Sequence, residues 1–201
     1  MVLENKLGIT SAPELSEAEE KISKKKALEL FESGELNKLE AGKFSSLKAI
    51  HKTLFDDIYN FAGELRTVNI SKGNFRFAPI MYLEAALENI DKMPQTTFDE
   101  IIEKYVEMNI AHPFREGNGR STRIWLDCIL KKELGKVVDW SQVDKEDYLL
   151  AMERSPIKDI EIKDEAAANQ ILSKLSKSFV IKSVDKKNKT KKSNPPIITR
   201  K

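Results

Sequence analysis

The most informative stretch of the chain is residues 112–123, HPFREGNGRSTR, which interrupts a run of amphipathic segments. Pro113 disfavours the α region for the residue before it, so the preceding helix is expected to end there. Gly117 and Gly119 permit backbone angles that other residues avoid. The residues that follow, Ile124–Leu130, are apolar on nearly every side, which is typical of a buried helix. The pattern predicts a turn of backbone N–H groups that forms an anion site at a helix N-terminus.

The charged residues of this stretch favour a phosphorylated ligand. Arg120 and Arg123 fall on one face of the first helical turn, where cations oppose the helix dipole. Two guanidinium groups there are explained by a polyanion in front of them. Glu116 would repel that anion unless a divalent cation such as Mg²⁺ joins the carboxylate to the phosphates. His112 is a titratable base beside the pocket, so the set predicts a phosphoryl- or nucleotidyl-transfer site.

The rest of the chain predicts a mainly α fold with one β-hairpin. Ser16 and Glu19 have the capping-box spacing, so the first helix is placed at 16–33 and ends at Gly34. Alternating residues around Lys72-Gly73-Asn74 predict the hairpin, within 64–79. Further helices are predicted at residues 44–62, 80–91, 97–111, 118–134, 144–154 and 163–180.

Charge and composition exclude several classes of protein. The 201 residues contain one cysteine and two histidines, too few for a disulfide framework or a Cys-rich zinc site. The residues from Lys182 onward carry a net charge of +7, whereas the preceding 181 residues carry −5. An acidic body argues against nucleic-acid binding. Without an apolar run of about 18 residues or a signal peptide, no membrane contact is predicted and a cytoplasmic protein is expected.

These patterns suggest three regions along the chain. Residues 1–14 are predicted to be an N-terminal lead-in, residues 15–180 the folded domain, and residues 181–201 a basic, disordered tail. His51 lies inside an apolar helical pattern, which indicates packing or surface exposure rather than catalysis. Cys128 is expected to be an inert thiol in a buried helix.

The 112–123 stretch resembles the signature of the Fic family (filamentation induced by cyclic AMP), H-x-F-x-[DE]-G-N-G-R-x-x-R. Every fixed position is filled in this chain, by His112, Phe114, Glu116, Gly117, Asn118, Gly119, Arg120 and Arg123. The resemblance extends over about residues 15–180 and is greatest to small, single-domain bacterial members. It implies a helical bundle with one small β-hairpin, called the flap.

The resemblance also implies a reaction, the transfer of AMP from ATP to a Tyr, Thr or Ser hydroxyl of a target protein. His112 would be the general base and Glu116 the Mg²⁺ ligand. Asn118 and the two flanking glycines, Gly117 and Gly119, would form the anion hole. Arg120 would bind the outer phosphates of the nucleotide, with Arg123 in support.

Two further expectations come from the family. The flap, formed by Lys72, Gly73, Asn74 and Phe75, would add a backbone strand to an extended target segment. Gly119 stands where kinase-type relatives carry a lysine, which favours AMP transfer over phosphate transfer. UMP, phosphocholine or phosphate as the transferred group, and a non-catalytic nucleotide- or protein-binding module, remain the alternatives.

One element of many Fic proteins is missing from the sequence. Their inhibitory helix, [ST]-x-x-x-E-[GN], has no match, and the nearest segment, Ser16–Glu20, is followed by Lys21. Three explanations stay open: a separate inhibitory, antitoxin-like partner, no restraint at all, or a variant role for Glu20.

Overall fold

The computed structural model describes residues 2–72, 75–144, 146, 148, 152 and 181–183. Within them the chain forms five α-helices, a short 3₁₀ helix and two small antiparallel strand pairs. The helices are α1 (Ala12–Ser33), α2 (Phe44–Phe55), α3 (Ile80–Lys92), α4 (Phe98–Ala111) and α5 (Asn118–Leu134), with the 3₁₀ helix at Glu35–Lys38. The strands are β1 (Ser71–Lys72), β2 (Phe75–Arg76), β3 (Lys136–Val138) and β4 (Ile181–Ser183).

Helix α5 is the central helix of the bundle. It packs against α2, α4 and β3, while α1 covers α2 and α3 covers α4. Ile124, Trp125 and Leu126 are fully buried on successive faces of α5, as its apolar sequence predicts. Asp127, the polar exception, accepts hydrogen bonds from the Val138 N–H and the Trp140 indole. Because α5 is packed into the core along its length, the position of its N-terminal end is fixed.

The mainly helical architecture confirms the predicted fold class. The predicted helices at 80–91, 97–111 and 118–134 agree with α3, α4 and α5 to within one residue at each end. Thr97 and Glu100 form a complete capping box at the start of α4. Gly135, at φ 64°, ends α5.

The N-terminal end of the first helix was predicted wrongly. Helix α1 begins at Ala12, and Ser11 rather than Ser16 is its N-cap residue. Pro13 suggested a break, but a proline is well suited to the first turn because the N–H it lacks has no helical partner there. The lead-in also packs, since Val2, Leu3 and Ile9 contact the core.

The second helix is shorter than its apolar pattern suggested. Helix α2 ends at Phe55, whereas the prediction ran to residue 62. Ile58, Tyr59 and Ala62 are buried all the same, within turns that follow the helix. The spacing thus identified the buried residues but not the backbone conformation, because a chain of turns can face the core with a similar period.

The hairpin lies where the sequence placed it, although each strand is only two residues long. It pairs Ser71 with Arg76 and Lys72 with Phe75. The sequence suggested that this hairpin is the only strand pair. The structure contains a second one, because β3 and β4 also form an antiparallel ladder.

Strand β4 lies at the start of the predicted disordered tail, so residues 181–183 are part of the fold. Residues 184–201 and the predicted helix at 163–180 lie outside the described residues. Of the predicted 144–154 helix, residues 144, 146, 148 and 152 are described; residue 144 is not helical, whereas the other three are. Among the described residues, no helix is both long and apolar enough to cross a bilayer.

Candidate functional site

The loop between α4 and α5, residues 112–117, begins with a residue in the left-handed backbone conformation. His112 ends α4 with φ 47° and ψ 62°, and it is the non-glycine residue with positive φ in the described part of the chain. This conformation costs an ordinary residue about 1–2 kcal/mol. Two hydrogen bonds oppose that cost: the His112 N–H donates to Met108, and the Arg66 Nε donates to the His112 carbonyl at 2.8 Å.

Asn118 closes the loop on itself. Its side-chain oxygen accepts from the Phe114 N–H at 2.8 Å, and its amide nitrogen donates to the Phe114 carbonyl at 2.7 Å. Asn118 is buried, so its side chain shapes the loop and only its backbone remains for the anion hole. Helix α5 begins at this residue, which places the first-turn N–H groups at the loop.

His51 packs against the same loop and forms a hydrogen bond with its backbone. Its ring stacks on the buried Phe114 ring, with 3.8 Å between centroids. The Gly63 N–H donates to Nδ1 at 2.9 Å, so the proton lies on Nε2, which donates to the Glu116 carbonyl at 2.8 Å. Burial lowers the pKa of His51 to about 4, although the Glu116 carbonyl opposes the shift. The neutral ring is therefore a fixed support of the loop.

The two glycines of the loop are needed for different reasons. Gly117 has φ 80°, and a Cβ there would lie 2.4 Å from Phe55 Cε2. Gly119 lies inside α5 without a positive φ, so the predicted unusual angle applies to Gly117 alone. A Cβ on Gly119 would lie 3.7 Å from Arg123 Nη1 and would narrow the space in front of the helix.

Arg120 is turned into the protein. Its side chain is 6% exposed and forms an ion pair with the fully buried Glu19, and its Nη1 donates to the Ser23 hydroxyl at 3.1 Å. The guanidinium also lies over the Phe55 ring, 4.7 Å from its centroid. These contacts do not fit the predicted direct binding of Arg120 to outer phosphates, because the guanidinium is already enclosed.

Glu116 is more accessible than its neighbours in the loop. Its side chain is 32% exposed, and its Oε1 accepts from the Gly117 N–H at 2.9 Å. The same oxygen lies 3.5 Å from Arg120 Nη2. One partly exposed carboxylate fits Mg²⁺, which usually combines one or two protein carboxylates with phosphate oxygens and water. Among the described residues, no group of three or more acidic, histidine or cysteine side chains is arranged so that it could hold a metal ion by itself.

Arg123 faces a different environment from Arg120. Its guanidinium lies 5.8 Å from the Trp140 ring centroid and 5.9 Å from that of Tyr148. Its Nε is buried without a hydrogen-bond partner in the described part of the chain. It also forms no ion pair with a described acidic residue, and Glu20 does not reach it. Arg123 is therefore the arginine of the loop that suits an incoming anion.

His112 is partly buried next to the hairpin. Its ring stacks on Phe77, with 3.7 Å between centroids. The pKa of His112 is lowered to about 4, chiefly by burial and also by the positive charges of Arg66 and Lys72, against an interaction with the Asn109 backbone that raises it. The imidazole is consequently neutral, and able to accept a proton, at pH 7.

The predicted flap is described only in part. Lys72 is exposed in β1, whereas Gly73 and Asn74 lie outside the described residues, as does the side chain of Phe75. The pairing of Lys72 with Phe75 places the hairpin where it was expected. Phe77, one residue beyond β2, links it to His112.

Sequence reasoning missed several residues that build the site. Glu19, Tyr59, Arg66 and Phe77 all contact loop residues or their direct partners. None has a short-range signal, because each meets its partner, a loop residue or, for Tyr59, Glu19, across at least 35 residues of chain. A buried charge in an otherwise ordinary helix, as at Glu19, leaves no mark in the hydrophobic pattern.

The chain has clear relatives. The Fic/DOC family profile matches residues 43–130. The protein adenylyltransferase VbhT of Bartonella schoenbuchensis is 32% identical over 163 residues, covering 75% of this chain and 33% of VbhT, so the chain spans about a third of that protein. The probable protein adenylyltransferase y4lH of Sinorhizobium fredii is 32% identical over 166 residues, covering 77% of this chain and 83% of y4lH.

Solved structures show the same fold. The N-terminal Fic domain of a Bartonella effector protein from Bartonella sp. AR 15-3 aligns with a TM-score of 0.69 at 22% identity, covering 87% of this chain and 86% of that one. BepC from Bartonella tribocorum, solved with bound AMPPNP, aligns with a TM-score of 0.67 at 18% identity, covering 91% of this chain and 94% of that one.

Alanine substitutions at Gly117 and Gly119 are expected to differ in their effects on stability. Gly117→Ala should lower the free energy of unfolding by about 3 kcal/mol, because it adds left-handed strain to a clash with Phe55. Gly119→Ala should leave stability unchanged or raise it by up to about 1 kcal/mol, since alanine favours the helix. Urea denaturation measures both, and equal losses would contradict the different roles.

Removal of Glu19 should destabilise the protein strongly. Glu19→Ala leaves the enclosed Arg120 guanidinium without its carboxylate, which is expected to cost about 3–5 kcal/mol. Glu20→Ala, one residue away and partly exposed, is the matched control and should change stability by less than about 0.5 kcal/mol. Similar unfolding midpoints for the two variants would show that the ion pair contributes little.

Both histidines should titrate far below the usual value of 6.5. With a pKa of about 4 for each, both rings stay neutral in the nucleotide-free protein down to about pH 5. The pKa of each histidine is lower in the folded state than in the unfolded state. The contribution of the neutral rings to the free energy of unfolding is therefore fully present above pH 6.5 and is lost as the pH drops toward 4. Histidine NMR titration checks this, with His112→Ala assigning the two signals, and a pKa near 6.5 for either would contradict the burial.

Proposed function

Because this chain belongs to the Fic/DOC family, we propose that it is a protein adenylyltransferase that moves AMP from ATP to a Tyr, Thr or Ser hydroxyl of a target protein. The names of the curated relatives support this activity, and an AMPPNP-bound structure of the same fold supports ATP as the donor. The observation that carries the proposal is a neutral His112 at the start of a loop whose turn leads into the N-terminus of α5.

The reaction assigned to the site is a displacement at the α-phosphorus. The target hydroxyl oxygen forms a bond to that phosphorus, the bond to the bridging oxygen of pyrophosphate breaks, and the hydroxyl proton passes to His112. Burial keeps the imidazole unprotonated, so it is ready for that proton at neutral pH. General-base assistance of this kind contributes about 10²–10⁴-fold to rate.

Negative charge on the α-phosphoryl oxygens is stabilised by the turn. The backbone N–H groups of Gly117, Asn118 and Gly119 are the proposed anion hole, which the closure of the loop by Asn118 makes rigid. Such preorganised donors do not have to reorient during the reaction. Gly119 keeps the space in front of α5 open for the phosphate chain.

The two arginines receive separate roles in this proposal. Arg123 is assigned to the outer phosphates, because it has an unpartnered buried Nε and no described acidic partner. Arg120, enclosed by Glu19 and Ser23, is assigned to positioning Glu116, 3.5 Å away. This revises the sequence-based assignment, in which Arg120 bound the phosphates directly.

Glu116 is the proposed ligand of Mg²⁺. When bound, the metal would neutralise phosphate charge and assist departure of pyrophosphate. The Gly117 N–H and Arg120 hold the Glu116 carboxylate at the rim of the loop, where it is partly exposed.

The target protein is proposed to bind at the flap. A two-residue β1 with an exposed Lys72 offers a short strand edge to an extended target segment. Action in the cytoplasm is proposed because the reaction consumes ATP. A separate antitoxin-like protein is the proposed restraint, because neither Glu19 nor Glu20 pairs with Arg123 among the described residues.

A labelling experiment tests the activity. Wild type, His112→Ala and Glu116→Ala are incubated in cell lysate with Mg²⁺ and ATP labelled on the α-phosphate, with γ-labelled ATP in parallel. We expect protein labelling from α-labelled ATP alone, lost in His112→Ala without loss of ATP binding, and reduced by at least about 100-fold in Glu116→Ala.

Other outcomes of this experiment would contradict the proposal. Label from γ-labelled ATP alone would indicate a kinase instead. A His112→Ala protein that transfers normally would exclude His112 as the base. Full Mg²⁺-dependent activity of Glu116→Ala would exclude that residue as the metal ligand. Arg115→Met, at an exposed position of the loop that the motif leaves open, serves as the surface control.

A further inference from the structure

Arg66 is a buried cation without a described counter-ion. It lies between α2 and β1 and is only 3% exposed, yet no acidic side chain in the described part of the chain forms an ion pair with it. Burial lowers the pKa of its guanidinium accordingly. A charge in such a position must be stabilised by other groups, and here those groups are backbone carbonyls.

Four carbonyl oxygens accept hydrogen bonds from the Arg66 side chain. Its Nε donates to His112 at 2.8 Å, and its Nη1 donates to Val68 at 2.9 Å. Its Nη2 donates to Ala78 and, at 3.2 Å, to Ala111. The Arg66 backbone N–H adds a fifth bond, to Pro113 at 2.9 Å, so the residue is attached to both sides of His112.

These carbonyls belong to two parts of the proposed site. Ala111 and His112 form the end of α4, where the last carbonyls of a helix carry partial negative charge and attract a cation. Val68 and Ala78 lie in the two stems of the β1–β2 hairpin, which are the short segments before β1 and after β2. One guanidinium therefore joins the base to the flap.

Other contacts also join the hairpin to α4 and His112. The Phe77 ring, in the second stem, stacks on the His112 ring, and the Ala78 N–H donates to the Ile110 carbonyl at 3.0 Å. Among the described residues, the hairpin is attached to α4 through these short stems, and Arg66 contacts both of them. Loss of Arg66 would remove the Val68 bond from the first stem and the Ala78 carbonyl bond from the second, which would leave the Phe77 ring and the Ala78 N–H as the remaining attachments of a loosened second stem.

We propose that Arg66 is a positioning residue that sets the distance and orientation between the target-binding hairpin and His112 by bonding Val68, Ala78, Ala111 and His112 together. The inference rests on the proposed function, because it gives the aligned parts their roles as target edge and base. The arrangement requires an arginine: its planar fork presents five N–H donors in fixed directions, whereas a lysine ammonium can serve only some of these carbonyls.

Kinetics of two variants test the positioning role. Arg66→Lys keeps the charge but not the fork, and Arg66→Met keeps neither. For both we expect kcat for AMP transfer to protein to fall by about 100-fold, because misplacement of a reacting group by about 1 Å has effects of that size. The dissociation constant for ATP should stay within about threefold, since Arg66 contacts neither α5 nor the arginine assigned to phosphate. A parallel loss of ATP affinity, or unchanged transfer in both variants, would overturn the proposal.

NMR titration provides a readout that does not depend on activity. The charges that face His112 are those of Arg66 and Lys72, and both lower its pKa, as burial does. Arg66→Met should therefore raise the pKa of His112 above about 4, whereas Arg66→Lys should keep it low. Arg115→Met, which removes an exposed arginine of the same loop, should leave it unchanged. Equal values in wild type and Arg66→Met would show that Arg66 does not act on His112.

Hydrogen exchange separates a local effect from general unfolding. The Phe77 and Ala78 amides donate to Ile70 and Ile110, so they report on the second stem. In Arg66→Lys they should exchange at least about tenfold faster while the amides of α2 stay protected. Equal loss of protection in both places would indicate a purely structural role. If wild type transfers no AMP, the proposed function fails, whereas this exchange pattern and the titration still decide whether Arg66 joins hairpin and base.

Discussion

The ion pair between Glu19 and Arg120 connects α1 to the start of α5, next to the loop that precedes it. Neither group is exposed enough to be stabilised by water, and a buried charge without its partner costs several kcal/mol. Tyr59 donates to the same carboxylate, so the turns after α2 join the arrangement. The position of α1, the burial of α5 and the orientation of Glu116 are thus linked by one charged contact, which fixes the loop in a single place.

The loop also shows how two arginines three residues apart can acquire different tasks. Both begin on the same face of α5, as the spacing predicts, but long side chains leave a helix in different directions. Arg120 turns toward α1 and becomes enclosed, whereas Arg123 turns toward Trp140 and Tyr148, where no described acid meets it. Two cations at a helix N-terminus oppose the dipole, and the structure reduces that cost by neutralising one of them internally. The remaining positive charge is concentrated at Arg123.

The sequence predicted the parts of the fold that local rules control. The glycine after α1, Gly34, and the proline after His112 marked the ends of two helices because each acts within a few residues. It placed the start of α1 wrongly because Pro13 is compatible with both a break and a first turn. It could not predict strand β3–β4, whose partners are separated by about 40 residues and lie in segments with no strong period. The charged residues and glycines of the motif were identified from their chemistry and their roles came from the resemblance, while the supports, Glu19, His51 and Arg66, were not identified, because each is determined by a contact across the fold.

The supports have one feature in common: each bonds the backbone of the loop or a side chain that is already fixed, and none reaches out to where a substrate would bind. His51 donates to the Glu116 carbonyl, Arg66 to the His112 carbonyl, and Glu19 accepts from Arg120. Backbone-directed bonds hold the loop without placing further side chains in the anion site, so the space in front of α5 stays available. The same bonds make the left-handed His112 tolerable, because a conformation that is unfavourable alone persists when its neighbours determine it. Under the proposed function, the loop presents N–H groups and one neutral base in a fixed geometry, and that geometry therefore depends most on residues that its own motif does not contain.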